Sequence, residues 1–406
     1  MNKILNKEGC DAMAKISPIE IKKIENKSIL QAGNSQSSNY NYQSIEQSNV
    51  DIETLNTNTD EEVSEFCNML SIDKSEIKEI EEKGNGAIIV KLNNGKKYSF
   101  KTDENGILTN IYYFEDEKSL IPEKYSTITY DETGNIDTIK TTDYKTNQIT
   151  TQTNFTGGIM YNSTVDKDGN IISSGFDYSN YNHINATING DLKKLDGTDI
   201  ETILGPDKID EINNEITKAV SLCQTNGEKV AAAATILIAS LAEEGYYMPY
   251  YLGGGHGNLT DGVDGTIGSV TTATGSQTQR NIKSYDCSGL INWAVRTALG
   301  CETGDWSYQG GIDSNYSNNG TAISRNEATP GDVYRKDGHV FMVLDTYIDS
   351  NGVSHSICAE SHCDGWVCDN SAQADDGIEI IDYETDKITS NYNLYDMESY
   401  YDGLFN

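Results

Sequence analysis

Positive charge is scarce in this chain of 406 residues. Lysine and arginine together number 30 against 63 aspartates and glutamates, so the formal net charge is −33. Such a surface repels the phosphates of nucleic acids and of anionic lipids, so no nucleic acid and no anionic membrane is expected as a partner. The charge indicates a soluble, self-repelling protein, and it specifies no substrate by itself.

A long apolar run is also missing. The longest run, Val230–Ala242, is interrupted by Thr235 and Ser240 and is too short to span a bilayer, so no membrane insertion is expected. The first residues, Met1–Glu8, lack the apolar core of a secretory signal peptide. Two interpretations stay open: the chain is not exported by the general route, or a leader has been removed.

Closely paired cysteines are absent as well. The eight cysteines are widely spread and include no Cys-x-x-Cys pair, which argues against a disulfide scaffold. Cys358, Cys363 and Cys368 lie near His362, but their spacing matches no common zinc pattern. We therefore expect no metal and no cofactor, and structural or unpaired thiols at most cysteine positions.

The residue pattern divides the chain into three segments. Residues 1–58 are rich in Asn, Ser, Gln and Lys, which predicts a disordered arm with at most a short helix near residues 17–25. Residues 59–205 are predicted to begin with helical pieces over 59–82 and to continue as a β-meander. Residues 206–406 are predicted to form a separate domain, so the expected fold class is α+β.

Glycine-containing turns predict the meander over residues 87–181. They separate runs rich in Thr, Ile and Tyr, as hairpin turns do, at Asn94-Gly95, Asn105-Gly106, Gly134-Asn135 and Asp168-Gly169-Asn170. The tyrosines allow two interpretations. They stack on sugars in a binding or spacing module, or they simply suit half-solvated strands.

Two helices are predicted after Gly205-Pro206. The first, over residues 207–223, carries isoleucines and a valine on one face, and the second, over residues 228–241, is alanine-rich and apolar nearly all round. A helix of the second kind is expected to be buried. It leads into Met248–His256, which is rich in Tyr and Gly.

A thiol stands at the start of a further predicted helix, in the run Asp286-Cys287-Ser288-Gly289. Unpaired N–H groups and the positive end of the helix dipole favour a thiolate there. Asp286 is expected to cap the helix, and N–H groups at its start are expected to stabilise an oxyanion. A lone cysteine at a helix start is more often a small buried residue, so its catalytic role depends on partners elsewhere in the chain.

A candidate base for this thiol is His339, at the head of the predicted strand 340–344. A triad also needs a polar group that orients the base through its other ring nitrogen. Glu360 and His362 are the candidates, because alternation along the next predicted strand places both on the same side. We favour Glu360, and His362 remains the alternative.

Taken in order, these motifs resemble an NlpC/P60-type cysteine peptidase domain, which has a papain-like fold with a helix-borne cysteine packed on an antiparallel sheet. The resemblance spans residues from about 228 to 380 and rests on the alanine-rich helix, Pro249–Gly254, Asp286–Leu290, Pro330–Val333 and Gly338–Val340. It implies Cys287 as nucleophile, His339 as base and Glu360 in the polar third position. It also implies that Tyr250 is the family tyrosine beside the cysteine. Tyr250, Ser288 and Asp286 are the residues expected at the substrate or the oxyanion.

The resemblance implies a function as well. Family members cut bacterial cell-wall peptides, often between D-glutamate and a diamino acid, so we expect a cysteine endopeptidase whose partner is peptidoglycan or a muropeptide. Leu252 stands where the family usually has Trp, and the third position is usually His. The segment 258–283, an insert before the cysteine, is expected to be a lid or a surface loop.

Other functions and settings remain open. A papain-like amidase or acyltransferase would have the same fold but act on another amide. An inert binding module would have no catalytic activity. The expected location is extracellular, at the cell wall or in a particle such as a phage tail or transfer apparatus. An effector toxin is a further possibility.

Overall fold

A computed structural model describes residues 70, 72–83, 86–187, 189–195, 200–250, 269–271, 277–279, 285–300, 312–362 and 377–404. Over these residues the protein is mixed α+β with a large antiparallel sheet. It divides into two compact units, Met1–Thr153 with Thr164–Ile172, and Asn154–Ser163 with Ser173–Asn406. Residues 173–205, grouped with the meander by sequence pattern, belong to the second unit. The predicted N-terminal arm lies outside the described residues.

The meander consists of nine strands, and strands adjacent in the chain are adjacent in the sheet. The pairs from the first strand to the seventh are antiparallel, which confirms the predicted meander. The strands are β1 (Ile77–Lys83), β2 (Ala87–Leu92), β3 (Lys97–Thr102), β4 (Leu108–Phe114), β5 (Lys124–Tyr130), β6 (Ile136–Asp143), β7 (Gln148–Asn154), β8 (Met160–Val165) and β9 (Ile171–Asp177).

The prediction of helix up to residue 82 is wrong at its C-terminal end. Only Lys74–Glu76 form a single 3-10 turn, and β1 then pairs along β2. Ile77 and Ile80 pack against the apolar cluster of the sheet, while Lys91 of β2 forms ion pairs with Glu79 and Glu81. These cross-strand contacts outweigh a weak local preference for helix. Residues 59–69 lie outside the described part of the chain.

The second unit contains a six-stranded sheet in the order β14-β19-β15-β16-β17-β18, and all its pairs are antiparallel. Its strands are β14 (Thr321–Ile323), β15 (Val333–Lys336), β16 (His339–Ile348), β17 (Ser354–Ser361), β18 (Ile378–Glu384) and β19 (Asn393–Asp396). Two short pairs complete the described strands: β10 (Lys193–Lys194) with β11 (Tyr246–Tyr247), and β12 (Ser269–Thr271) with β13 (Gln277–Gln279). The last pair lies in the insert before the cysteine.

The helices of the second unit are α1 (Ile200–Leu204), α2 (Pro206–Leu222), α3 (Asn226–Glu243), α4 (Cys287–Leu299), α5 (Ile312–Asn319) and α6 (Glu398–Gly403). The predicted alanine-rich helix is α3, and its residues from Val230 to Ala242 are all buried, as expected. It packs against α2, α4 and the sheet. Because α4 also contacts β16 and β17, its first residue, Cys287, lies close to the strands that carry His339 and Glu360.

The start of α3 is held by two distant parts of the chain. The carboxylate of Glu398 in α6 accepts the N–H groups of Asn226 at 2.8 Å and Gly227 at 2.7 Å. A Cβ atom on Gly227 would lie 2.5 Å from the carbonyl oxygen of Pro330, so only glycine permits this approach. These contacts anchor the segment that leads into β15 and β16 on the central helix.

Candidate active site

Asp286 caps α4 from a fully buried position. One carboxylate oxygen, Oδ1, accepts the backbone N–H of Ser288 at 3.1 Å, that of Gly289 at 2.7 Å and the Ser288 hydroxyl at 2.9 Å. The N–H groups of the second and third helical residues are therefore already occupied. Asp286 and Ser288, which are expected near the substrate or the oxyanion, are both engaged in the cap, which holds Cys287 at the helix start.

His339, the first residue of β16, is paired with Glu360 on the neighbouring strand β17. Its Nε2 lies 2.6 Å from Glu360 Oε1, and the hydroxyl of Tyr383 donates to the other carboxylate oxygen, Oε2, at 2.5 Å. Glu360 is buried with 5% of its surface exposed, so the two contacts satisfy a carboxylate that water scarcely reaches. With Nε2 engaged, Nδ1 is the nitrogen left to face the thiol.

The charge state of His339 follows from these neighbours. Burial lowers its pKa, but hydrogen bonds to Cys287 and Glu360 and the fields of both outweigh burial and raise the pKa to about 10. Burial raises the pKa of Glu360, yet the His339 and Tyr383 contacts outweigh it, and the result lies below the ordinary value. The raised pKa therefore favours an imidazolium between the Cys287 sulfur and the Glu360 carboxylate.

An aromatic wall flanks this imidazole. The rings of Phe341 and Tyr392 each lie 6.3 Å from the imidazole ring, centroid to centroid. Tyr392 lies 5.0 Å and Tyr383 5.4 Å from Phe341 by the same measure. Neither Tyr383 nor Tyr392 is predicted from the sequence. Alternation over residues 378–384 does predict a strand, but no local pattern shows that this strand pairs with the one carrying Glu360.

Tyr250 lies at the cysteine, as the resemblance implies. Its ring is buried, and its pKa is raised well above 10 by burial, then by the fields of Cys287 and Asp286 and by a hydrogen bond with the Cys287 side chain. The residues before it are tied to the start of β18, because Pro249 forms a β-bridge with Gly377 and Ile378 N–H donates to Met248 O at 3.0 Å. Tyr250 therefore enters the site as a neutral phenol.

The two candidates for the third position have different partners. Glu360 contacts His339, whereas His362 lies just after β17 with its Nδ1 3.2 Å from Oε1 of Glu379, which is 1% exposed. The backbone N–H of His362 donates to Gly377 O at 3.1 Å. The geometry thus gives the orienting position to Glu360 and gives His362 a separate acidic partner.

The Pro330–Val333 motif supports the strands rather than the chemistry. Gly331 has a φ of +92°, and a Cβ there would lie 2.4 Å from Gly227 Cα. Asp332 accepts the Thr329 N–H at 2.7 Å and the Thr329 hydroxyl at 3.1 Å, while burial raises its pKa to about 6. This motif packs the start of β15 against α3. Because β15 pairs with β16, it thereby helps to fix the position of His339.

Several predicted features fall outside the described residues, namely Leu252, Cys363, Cys368 and most of the insert at 258–283. Within the described ranges, no group of three or more His, Cys, Asp and Glu side chains is arranged to hold a metal ion. Among the helices that the structure describes, none is long and apolar enough to cross a membrane.

Comparison of the chain with protein-family models, with curated protein sequences and with solved structures finds no match. The chemistry of the site is therefore the basis on which a function is assigned.

Proposed function

We propose that this protein is a cysteine hydrolase of amide bonds whose C-terminal unit has a papain-like, NlpC/P60-type arrangement. One observation supports this most strongly. A thiol at the start of a buried helix contacts an imidazole whose far nitrogen lies 2.6 Å from a buried carboxylate. This chain of contacts has the order of nucleophile, base and orienting group that thiol hydrolases need.

The reaction begins with the ion pair of Cys287 and His339. The thiolate attacks the carbonyl carbon of the amide, and the carbonyl π electrons move to oxygen to form a tetrahedral oxyanion. As the oxyanion collapses, the C–N bond breaks and Nδ1 of His339 gives its proton to the departing amine. Nδ1 then takes a proton from water, which attacks the thioester and releases the acid and the thiolate.

Of the donors expected at the oxyanion, we propose the hydroxyl of Tyr250. The N–H groups of Ser288 and Gly289 are bound to Asp286, whereas Tyr250 is hydrogen-bonded to the side chain and the backbone of Cys287 and so lies at the nucleophile. A neutral phenol is a suitable donor to negative charge that develops in a buried site.

The proposed substrate is the peptide of bacterial peptidoglycan, and the proposed setting is extracellular, either at the wall or in a particle that reaches it. The support is the ordered set of motifs from Pro249 to Val340 and their similarity to the wall-peptide hydrolases. The net charge of −33 disfavours nucleic acid as a partner. A papain-like amidase or acyltransferase acting on another amide is the second candidate, since the same ion pair would serve it.

The decisive variant is Cys287→Ala, assayed on purified peptidoglycan with mass spectrometry of the released muropeptides. Loss of the nucleophile is expected to lower the rate by at least ~10³-fold. Cys223→Ala is the matched control, because Cys223 is also a buried thiol but lies at the end of α2. The cleaved bond separates the candidates, since a peptidase releases stem-peptide fragments and an acyltransferase needs an added amine.

Iodoacetamide labelling tests the site without a substrate. Cys287 is expected to react at neutral pH much faster than Cys223 and Cys358, whose pKa values are raised by burial. Unchanged wall cleavage by Cys287→Ala, or equal labelling of the three thiols, would remove the assignment.

A further inference from the structure

A second buried histidine–glutamate pair lies beside the first. Glu360 on β17 and Glu379 on β18 are register partners, so their side chains leave the same face of the sheet with Cβ atoms about 5 Å apart. Both are buried, with 5% and 1% of their surfaces exposed. Two like charges in this position repel each other unless each has its own cation.

Each carboxylate has a histidine at its outer end. Nε2 of His339 lies 2.6 Å from Oε1 of Glu360, and Nδ1 of His362 lies 3.2 Å from Oε1 of Glu379, which is an ion-pair contact. Both imidazoles are largely covered, with 16% of each side chain exposed. Across the two strands the four side chains follow in the order imidazole, carboxylate, carboxylate and imidazole, and we name them the His–Glu row.

We propose that His362 and Glu379 are positioning residues, which hold Glu360 ionised and directed at His339 by balancing the charge of the His–Glu row. This role rests on the proposed function, because it acts through the group that orients the catalytic base. His362 contributes a positive charge on the far side of the two carboxylates. Without it, the row would hold two facing carboxylates with one cation, which would favour a proton on Glu360.

A proton on Glu360 would weaken the support that this carboxylate gives to His339, the proposed base. A protonated Glu360 accepts poorly from Nε2 of His339 and no longer supports an imidazolium, so the thiolate–imidazolium pair would be lost at a higher pH than before. The field of His362 is among the influences that lower the pKa of Glu360, after its contacts with His339 and Tyr383. Other titratable groups that feel the carboxylates of the row are Cys358, Tyr383, Tyr392 and Tyr181, whose pKa values are all raised by burial.

The second pair is fixed to the same backbone that carries the nucleophile. The hydroxyl of Ser361, next to His362, donates to the carbonyl of Tyr285 at 2.8 Å, two residues before Cys287. Gly377, two residues before Glu379, admits no side chain, because a Cβ would lie 2.3 Å from the Tyr247 ring. A change in the His362–Glu379 pair is therefore transmitted to Glu360 by charge more readily than by backbone movement.

The test is the pH dependence of Cys287 alkylation by iodoacetamide in the full chain, compared among His362→Gln, Glu379→Gln and the double variant. His362→Gln is expected to move the acidic limb of the profile upward by about one pH unit. Adding Glu379→Gln is expected to restore it, since the unbalanced anion is then removed. A purely structural role predicts that two substitutions are at least as harmful as one.

His355→Gln is the matched control. His355 pairs with Asp382 across the same two strands, with Nδ1 2.9 Å from Oδ1, and this pair lies at the other end of the ladder. Loss of the His355–Asp382 pair should leave the acidic and the alkaline limb of the Cys287 alkylation profile unchanged. If His362→Gln fails to fold, the single Glu379→Gln variant still decides, because a balanced row predicts an acidic limb at or below the wild-type position.

The outcomes separate the two proposals. Fast, pH-dependent alkylation of Cys287 that His362→Gln does not change would overturn the positioning role and leave the hydrolase intact. A double variant whose limb stays displaced would overturn it as well. Slow alkylation of Cys287 in the wild-type protein, no faster than that of Cys223, would overturn the hydrolase proposal itself.

Discussion

Histidine–carboxylate pairs recur throughout the described residues. The nitrogen–oxygen distances are 3.3 Å for His183–Glu243, 2.6 Å for His339–Glu360, 2.9 Å for His355–Asp382 and 3.2 Å for His362–Glu379. In a chain with 63 acidic residues and 5 histidines such pairing is expected from composition. What distinguishes His339 is its second neighbour, Cys287.

Glu360→Gln is predicted to move the alkaline limb of activity to lower pH. The carboxylate helps to raise the His339 pKa to about 10, so its loss lets burial lower that pKa again. We expect kcat/KM at neutral pH to fall by about 10²–10⁴-fold, because the imidazolium that protonates the leaving amine is less populated and less well oriented. The measurement is the pH–rate profile on a muropeptide.

Asp382→Asn supplies the control for this variant, since it removes a carboxylate from the half-buried pair of Asp382 with His355. A parallel effect is expected on stability. The raised pKa of His339 contributes stability that is complete below its ordinary value near 6.5 and is lost as pH rises through about 10. The free energy of unfolding by urea should therefore differ less between pH 6 and pH 10 in Glu360→Gln than in the wild type. An equal difference in the two proteins would contradict the assigned charge state of His339.

At the scale of the element, one turn design recurs in both sheets. It has the form Asp-x-x-Gly-x, and the Asp carboxylate accepts the N–H groups two and four residues later, at distances between 2.7 and 2.9 Å. The glycine has a φ between +81° and +91° in each case. The turns begin at Asp103, Asp131, Asp166 and Asp349.

Gly134→Ala is predicted to weaken the β5–β6 hairpin by roughly 1–2 kcal/mol. A Cβ at Gly134 would meet no atom within 4 Å, so the cost comes only from the φ of +91°. Gly403→Ala is the control, because that site is equally open and its backbone does not lie in the left-handed region. Hydrogen exchange of the β5 and β6 amides measures the difference, and equal protection in the two variants would refute the backbone argument.

Asp286→Ala is predicted to destabilise α4 by about 1–3 kcal/mol. The substitution removes the acceptor for the Ser288 and Gly289 N–H groups in a site that water does not reach. Asp286→Asn keeps an acceptor oxygen and should restore most of the loss. Hydrogen exchange at these two amides reports the cap directly; undiminished protection in Asp286→Ala would show that another group satisfies them.

At the scale of the whole molecule, charge determines how the protein meets its proposed substrate. A net charge of −33 opposes approach to anionic wall polymers. The screening length falls from about 30 Å at 0.01 M salt to about 8 Å at 0.15 M. Cleavage of intact walls is therefore predicted to speed up over this range, while cleavage of a small soluble muropeptide should change much less. A wall rate that is independent of salt would exclude this electrostatic barrier.

The elements with a strong repeating pattern could be predicted from the sequence. The meander, the buried α3 and the helix that begins at Cys287 all follow from turn glycines and apolar periodicity. The strand β1 could not be predicted in the same way. Its Ile and Glu spacing is compatible with a helix, and pairing with β2 decides between the two.

The candidate site was predictable only in part, for a related reason. Cys287, His339 and Glu360 were identified by motif and by strand alternation, and Tyr250 by resemblance. The roles of Ser288 and His362 depended on which acceptor lies nearest, Asp286 in one case and Glu379 in the other. Tyr383 carries no local signal, because its contact with Glu360 exists only through the pairing of β17 with β18.

The sequence by itself determined which residues are chemically able to act and which segments become helices and strands, because side-chain chemistry and periodicity are local properties. Tertiary structure alone decided that Glu360 rather than His362 contacts His339. It also decided that the cap occupies the N–H groups of Ser288 and Gly289 in α4, and that Glu379 faces Glu360 across the sheet. These are relations between strands and helices distant in the chain, and they are set by register and close packing, which no single segment encodes.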